Sequence, residues 1–530
     1  MSADGAALPS LTSEEDYRLD LRRILIVFST MLAVLLEIID TSIVNVAIPS
    51  MMGNLGATLD EIDWVITSYI ISNVVIIPLT GWFAARFGRK RYFTVSIGIF
   101  TASSLMCGAS MTVDQLIFWR IVQGLGGGAL VATSQAILVE SFPPSKQGVG
   151  QALFGIGAMV GPSLGPTLGG FLTDNYSWHW CFLINVPLGI LAATLVMANL
   201  EDPPHLSGGR GGRVDWLGIA LLVVGVGSLQ TMLERGHKDD WFESPQIVAL
   251  AIGAAVGLGG LVWRELRIEN PIIELRVLRR PQLAIGCVLG AVTGMGLFGL
   301  IFLFPVYTQT LLGWTAWNSG LAVLPSSIAT AAMMAIIGPM VWRVGPRPIF
   351  LVGMALMPVT LWMMSQWTLA SGWEDVLLPQ LMRGITMGFL FVPLSTAALR
   401  SLPSREIVHG AAMYNLFRQL GGSFGIAALA SILDRSAELH RTELARHVGP
   451  FDLPTVARLD ALSQHFVYAG VDPAAAQVAA TGIIDRMLGM QASMEAFYDA
   501  YAFIGLAFLF VFPVACKLAR HAPGKYAPIE

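Results

Sequence analysis

Charged side chains are scarce in this sequence. Asp, Glu, Lys and Arg supply 13% of its 530 residues, 54% are hydrophobic, and the mean hydropathy is +0.64. A soluble domain carries roughly 25% charged residues, so this chain has too little polar surface to face water all round. Cysteine is sparse as well. Cys107, Cys181, Cys287 and Cys516 lie in or at the ends of apolar runs and have no CxxC spacing. That speaks against a disulfide framework and leaves buried small side chains. No GxxxxGK[ST] or HExxH stretch occurs, no DxxD cluster lies within a span, and the histidines sit in loops or near span ends. These absences disfavour an ATP-driven pump and an intramembrane enzyme. The short alternating segments of a β-barrel are missing too. The first twenty residues are polar and acidic, without a signal-peptide pattern, so the first span is expected to act as an uncleaved insertion signal.

What is abundant is apolar sequence in runs of about 20 residues, the length that crosses a bilayer core. Fourteen spans are predicted: 24–49, 63–83, 93–112, 114–138, 149–173, 179–200, 215–234, 245–263, 282–309, 316–340, 348–367, 375–399, 408–432 and 497–518. With the N-terminus inside, 22 of the 32 Lys and Arg fall in inner tails and loops, and only Arg235 and Lys238 fall in short outer loops. The positive-inside rule therefore predicts that both termini are cytoplasmic. The fold class expected is an all-α polytopic membrane protein. Polar breaks at 201–213 and 264–281 divide it into a tail (1–23), a six-helix half (24–200), a linker with two extra spans (201–281), a second six-helix half (282–518) and a tail (519–530). Such a layout fits a transporter with its site between two halves. A long polar insertion, 433–496, lies outside. In it, Asp472–Pro473 reads as a helix start, and Val456, Leu459, Leu462 and Phe466 recur at helical spacing, so a helical hairpin continuous with the last span is expected.

Two acids interrupt the first span, in "LLEIIDTSIVNVAIP". On a helix, Glu37, Asp40, Thr41, Val44 and Asn45 share an arc of about 140°. Glu37 lies about 20 Å and Asp40 about 25 Å along the helix from Arg23. An acid at that depth must face protein or a water-filled cavity, and desolvation favours its neutral form, so that it can take up and release protons. The alternative is a structural acid paired with an arginine. Arg120, in "LIFWRIVQGLGGGAL", needs a partner at similar depth, and Asp40 and Glu37 are the nearest candidates. "GWFAARFGRKR" clusters Arg86, Arg89, Lys90 and Arg91 beside Gly81 and Gly88, as a topology anchor or a gate. In "GIGAMVGPSLGPTLGG", Gly157, Gly161, Gly165 and Gly169 form one face, and Pro162 and Pro166 remove helix hydrogen bonds. A bent, pivoting contact between the halves is expected there. Methionines crowd spans ten to twelve, Met357 among them, either as a promiscuous pocket or as gap fillers.

These motifs resemble, in order, those of the fourteen-span drug/proton antiporters of the EmrB/QacA type, a branch of the major facilitator superfamily. "IIDTSIVNVAIPSM" is similar to the span-one motif, "GWFAARFGRKR" to the loop 2–3 motif, "RIVQGLGGG" to the span-four arginine motif and "GPSLGPTLGG" to the antiporter motif. "WHWCFLINVPLG" and "NLFRQLGGSFG" resemble further landmarks. The resemblance implies a major facilitator fold and proton-coupled export of lipophilic or amphipathic compounds by alternating access. Export of one dedicated lipid, fatty acid or siderophore is the second reading. Asp40, Glu37 and Arg120 would couple protons. Asn45, Gln123, Asn415, Arg418 and Met357 would line the substrate cavity. Gly81, Arg86, Gly88, Arg89, Gly161, Pro162, Gly165 and Pro166 would serve gating. No catalytic residue, metal, cofactor or nucleic-acid partner is implied. The expected setting is the bacterial inner membrane, with a periplasmic adaptor protein and an outer-membrane channel as partners. Two departures stand out: Ala85 replaces the usual Asp of the loop 2–3 motif, and His179 replaces the usual Arg between two tryptophans. A histidine there either responds to pH or is a neutral replacement.

Overall fold

A computed structural model of the chain describes residues 20–202, 214–268, 271–400, 402–403, 406–449 and 451–518. The expected tail 1–19, the break 203–213 and the tail 519–530 lie outside the described residues. Helices begin where capping groups satisfy their first N–H donors. α1 (Leu21–Leu55) starts at Asp20, whose carboxylate accepts from Leu21 N at 2.7 Å, and ends at Gly56, in the left-handed region with φ 62°. α2 (Leu59–Ile76) opens with a capping box between Thr58 and Glu61. Pro78 sits in a 3-10 turn that separates α2 from α3 (Thr80–Phe87) within one span. α4 (Arg89–Gly108), α5 (Val113–Glu140), α6 (Gln147–Asn175), α7 (Trp180–Leu183) and α8 (Asn185–Asn199) complete the first half, with α7 and α8 forming one span.

α9 (Trp216–Arg235) and α10 (Pro245–Glu265) follow as an antiparallel pair. The second half comprises α11 (Pro281–Val306), α12 (Ala316–Val344), α13 (Pro346–Met364), α14 (Trp373–Arg400), α15 (Ile407–Ala445) and α17 (Pro473–Ala515), with α16 (Leu453–Tyr468) inserted before the last. Among the described residues, thirteen segments are long and apolar enough to cross a membrane. α4 makes the fourteenth expected span. Its basic start and its Thr94, Ser96, Thr101, Ser103 and Ser104 reduce its apolarity, and it packs between α5 and α8.

Within the first half, α1 lies on α6 and α8, while α5 lies on α2 and α4; within the second, α11 lies on α15, α12 on α14, and α13 on α14 and α17. The halves meet along α6–α12 and where α15 crosses α3 and α5. The linking pair leans on both sides. Gln230 Nε2 of α9 donates to Ser423 Oγ of α15 at 2.8 Å, and Lys238 pairs with Asp63 near the start of α2.

The inserted segment is more helical than expected. α15 has 39 residues and α17 has 43, hence lengths of about 58 Å and 64 Å at about 1.5 Å per residue. Both run well beyond a hydrocarbon core of roughly 30 Å. α16 packs on the projecting part of α17, as the hairpin reading expects, and Asp472 caps α17 by accepting from Ala474 N at 3.1 Å. The outward extension of α15 was not expected. Arg441 ties it to Asp485 of α17 at 2.6 Å.

Candidate functional site

Asp40 is sealed inside the first half. Arg120 Nη1 donates to its Oδ2 at 2.6 Å, and Gln123 Nε2 and Asn185 Nδ2 donate to its Oδ1 at 2.9 and 2.8 Å. Five helices supply this cluster. α1 brings Asp40, α5 brings Arg120 and Gln123, and α8 brings Asn185. α4 adds Ser104, which accepts from Asn185 at 3.1 Å, and α2 adds the Val65 carbonyl, which accepts from Arg120 Nε at 3.0 Å. The guanidinium also lies 4.0 Å from the centre of the Tyr69 ring. Asp40 and Arg120 are 0% and 1% exposed. Each neutralises the other, and the flanking donors and acceptors compensate for the water both have lost. The expected Asp40–Arg120 partnership is thus present in the geometry.

Gln123 does not face a substrate cavity. It is fully buried and bridges the pair, also accepting from Arg120 at 2.8 Å, because α5 presents it one turn from Arg120 on the face toward α1. The expectation that it lines the cavity is corrected accordingly.

Glu37, one turn below Asp40, sits in a different environment. It is buried, accepts from Asn73 Nδ2 at 2.9 Å and forms no ion pair among the described residues. Arg418 of the opposite half lies within electrostatic reach of it. Arg418 Nη2 donates to Asn415 Oδ1 at 3.0 Å, and Asn415 Nδ2 donates to Gln135 Oε1 on α5 at 2.5 Å. Gln135 then donates to Gln151 of α6 at 2.9 Å. A buried polar chain therefore crosses from the second half to the first. Asn45 is exposed one turn beyond Thr41.

The loop 2–3 segment lies at the same end of the helices as this bridge. Gly88 has φ 85°, a backbone conformation that side chains other than glycine rarely adopt. A Cβ there would also stand 2.7 Å from Asp202 Oδ2. Asp202 accepts from Lys90 N at 2.7 Å, and Arg89, itself buried, pairs with Glu140 at the end of α5. Arg86 lies 5.4 Å from the centre of the Trp82 ring. Acidic groups thus engage the motif despite Ala85, from α5 and from the segment after α8. Gly81 leaves room for the His409 ring of α15 in the opposite half.

Two further expectations change. The glycine face of α6 does not meet the opposite half. Cβ atoms at Gly161 and Gly169 would come within 2.5 Å of Ile38 Cγ2 and 2.8 Å of Ile43 O, and one at Gly165 would overlap Ser42. The glycines bring α1 against α6, and so help fix the helix that carries both acids. A neighbouring face of α6 reaches α12: a Cβ at Gly320 would lie 3.5 Å from Thr167 Oγ1 and 3.8 Å from Pro166 Cβ. Pro162 lies within α6 as well, between Gly161 and Gly165. Met357 is 0% exposed and part of the core. It occupies space left by Gly296 on α11, where an added Cβ would meet its Cε at 3.0 Å. It fills a gap and lines no cavity.

His179 stacks on Trp178 with ring centres 3.8 Å apart.

Several residues of the cluster escaped the sequence reading: Asn73, Ser104, Gln135, Glu140, Gln151, Asp202 and Asn185. Asn185 stands within the quoted "FLINVPLG", so a polar residue in an apolar motif was the available signal. The others are isolated polar residues without a spacing pattern.

The geometry agrees with comparison to known proteins. The Major Facilitator Superfamily profile matches residues 30–426. The multidrug export protein EmrB of Escherichia coli K12 is 35% identical over 428 residues, covering 79% of this chain and 82% of that one. The fatty acid resistance protein FarB of Neisseria gonorrhoeae is 31% identical over 483 residues, covering 91% and 93%. Among solved structures, the proton:xylose symporter XylE shares the fold with a TM-score of 0.58 at 16% identity, over 93% of this chain and 95% of that one. The profile spans most of the chain, the two relatives match over 79% and 91% of it, and the helices pack as two bundles of six with a linking pair beside them: the chain belongs to the major facilitator superfamily, in its EmrB-type branch.

Proposed function

We propose that the protein exports lipophilic or amphipathic compounds across the bacterial inner membrane in exchange for protons. The observation that carries this reading is the pair of buried acids one turn apart on α1, held in unlike settings. Asp40 is locked to Arg120 within one half, whereas Glu37 has only the Asn73 amide as a hydrogen-bond partner among the described residues and Arg418 of the other half within electrostatic reach. In this scheme a proton on Asp40 loosens its hold on Arg120, and a proton on Glu37 weakens the link between halves. Relatives named for multidrug export and fatty acid resistance support a lipophilic cargo.

With both termini cytoplasmic, the Gln135–Asn415 bridge and the Gly81–His409 contact form the inner gate. The closed inner end and exposed Asn45 then correspond to an outward-facing state. The residue bounds given for the two halves and linker belong to the same proposal, as do the gating roles of Gly81, Arg86, Gly88, Arg89, Gly161, Pro162, Gly165 and Pro166. The projecting α15–α16–α17 hairpin is proposed to dock a periplasmic adaptor leading to an outer-membrane channel. Phe451, Leu453, Tyr468 and Val478 give it an exposed apolar surface, the composition that favours partner contact. Deleting α16 with a short Gly/Ser bridge should abolish co-purification with the adaptor yet leave vesicle transport intact. Retained adaptor binding would refute the docking role. Transport in vesicles with an imposed pH gradient, against cationic, anionic and neutral lipophiles, tests the export reading. Lack of gradient-driven movement for every class would overturn it.

A further inference from the structure

We propose that Arg383 and Gln380 on α14 form a binding site for a monovalent anion of the carboxylate kind inside the second half. Arg383 is buried. Its Nε donates to Ser326 Oγ of α12 at 2.9 Å and its Nη1 to the Leu300 carbonyl of α11 at 3.3 Å. Among the described residues no carboxylate pairs with it. Gln380 stands three residues earlier, on the same helix face. It is 0% exposed, and among the described residues neither its amide nitrogen nor its amide oxygen has a hydrogen-bond partner. A buried cation without an anion and a buried amide without partners are each costly. Placed side by side, they match the two donors that a carboxylate requires.

The chain supplies its own comparison. α5 is the fourth span of the first half and α14 the fourth of the second. Arg120 is the eighth residue of α5 and Arg383 the eleventh of α14. Both guanidiniums reach toward the first span of their half. Arg120 meets the Asp40 carboxylate on α1, but Arg383 meets only a backbone carbonyl on α11. The second half thus keeps the cation and lacks the acid. An incoming anion would take the acid's place, with spare guanidinium N–H groups on one oxygen and Gln380 Nε2 on the other. The Phe304 ring, centred 6.0 Å from the guanidinium, and the buried Tyr501 offer apolar wall for a hydrocarbon tail.

The anion arrives either as the head group of an amphipathic substrate, which rests on the export reading, or as a free small carboxylate, which does not. Thermal melting of the purified full chain in detergent separates these. Acetate, decanoate and decanamide are titrated below their micellar range, with a bulky sulfonate keeping ionic strength constant. Decanoate and acetate should raise the melting temperature and decanamide should not. Half-saturation by decanoate at a tenfold lower concentration than acetate identifies the head group as the source, and equal concentrations identify the free anion. Gln380→Leu and Arg383→Gln should raise the half-saturating concentration at least tenfold. Ser326→Asp installs an acid beside the guanidinium; it should melt at or above the wild-type temperature without added anion and show no anion-dependent shift. No anion-dependent shift in the wild type, or a full shift retained in Ser326→Asp, would overturn the site. Decanoate export by vesicles under a pH gradient is scored separately, so loss of the export reading is distinguishable from loss of the site.

Discussion

Replacing Asp40 by Asn removes one charge and almost no volume, and its consequences follow from the hydrogen bonds. Asp40 Oδ1 receives N–H groups from Gln123 and Asn185, so an Asn must turn its carbonyl oxygen toward them. Its NH2 then faces Arg120 Nη1, donor against donor, where 2.6 Å now separates donor and acceptor. Arg120 is left as a buried cation with only neutral partners. Breaking a fully buried pair in this way costs about 3–5 kcal/mol. Gln123 Oε1 and the Val65 carbonyl stay in place and keep the loss toward the lower end of that range. Two effects are expected together: a lower melting temperature in detergent and loss of proton-driven export at matched protein level. Asp40→Glu keeps the charge and should retain more of both properties than Asn. Equal stability and full transport in Asp40→Asn would refute the assignment of Asp40 as the coupling acid and the argument about its partner.

Arg120→Lys should impair transport and stability, because one ammonium cannot reproduce contacts to Asp40, Gln123 and the Val65 carbonyl at once; wild-type vesicle transport would reduce Arg120 to a source of charge. Glu37→Gln can still accept from Asn73, so little stability should be lost, while the pH profile of export or the preference for cations should shift; an unchanged profile and substrate range would make Glu37 structural. Gly88→Ala meets both the positive φ and Asp202 and should cost about 1–3 kcal/mol, read by melting, with an unchanged melt showing that the loop relaxes freely.

The span positions and the Asp40–Arg120 pair were legible in the sequence because both follow from one-dimensional facts: apolar run length and the cost of charge at hydrocarbon depth. The capping pair Asp472–Pro473 placed the start of α17 at Pro473. What escaped it depends on which helix faces which. Gly161 and Gly165 show that some helix approaches closely but not that α1 is the one. Met357 is equally suited to a pocket and to a gap, and only Gly296 opposite decides between them. Gln123 and Gln135 are both buried on α5 but point about 120° apart around it, so one serves a carboxylate and the other the contact between halves. The extension of α15 to Ala445 was missed because its outer part is polar, held by Arg441–Asp485 and not by an apolar stripe.

The central claim is that movement of substrate and movement of protons are obligatorily opposed. Proteoliposomes loaded with a pH-sensitive dye and given a gradient of a lipophilic cation, with no imposed pH difference, test it most directly. The account predicts that substrate flow in one direction drives protons in the other, that reversing the substrate gradient reverses the dye signal, and that Asp40→Asn abolishes it. Substrate flux in the wild-type protein with no opposing proton movement would contradict the account.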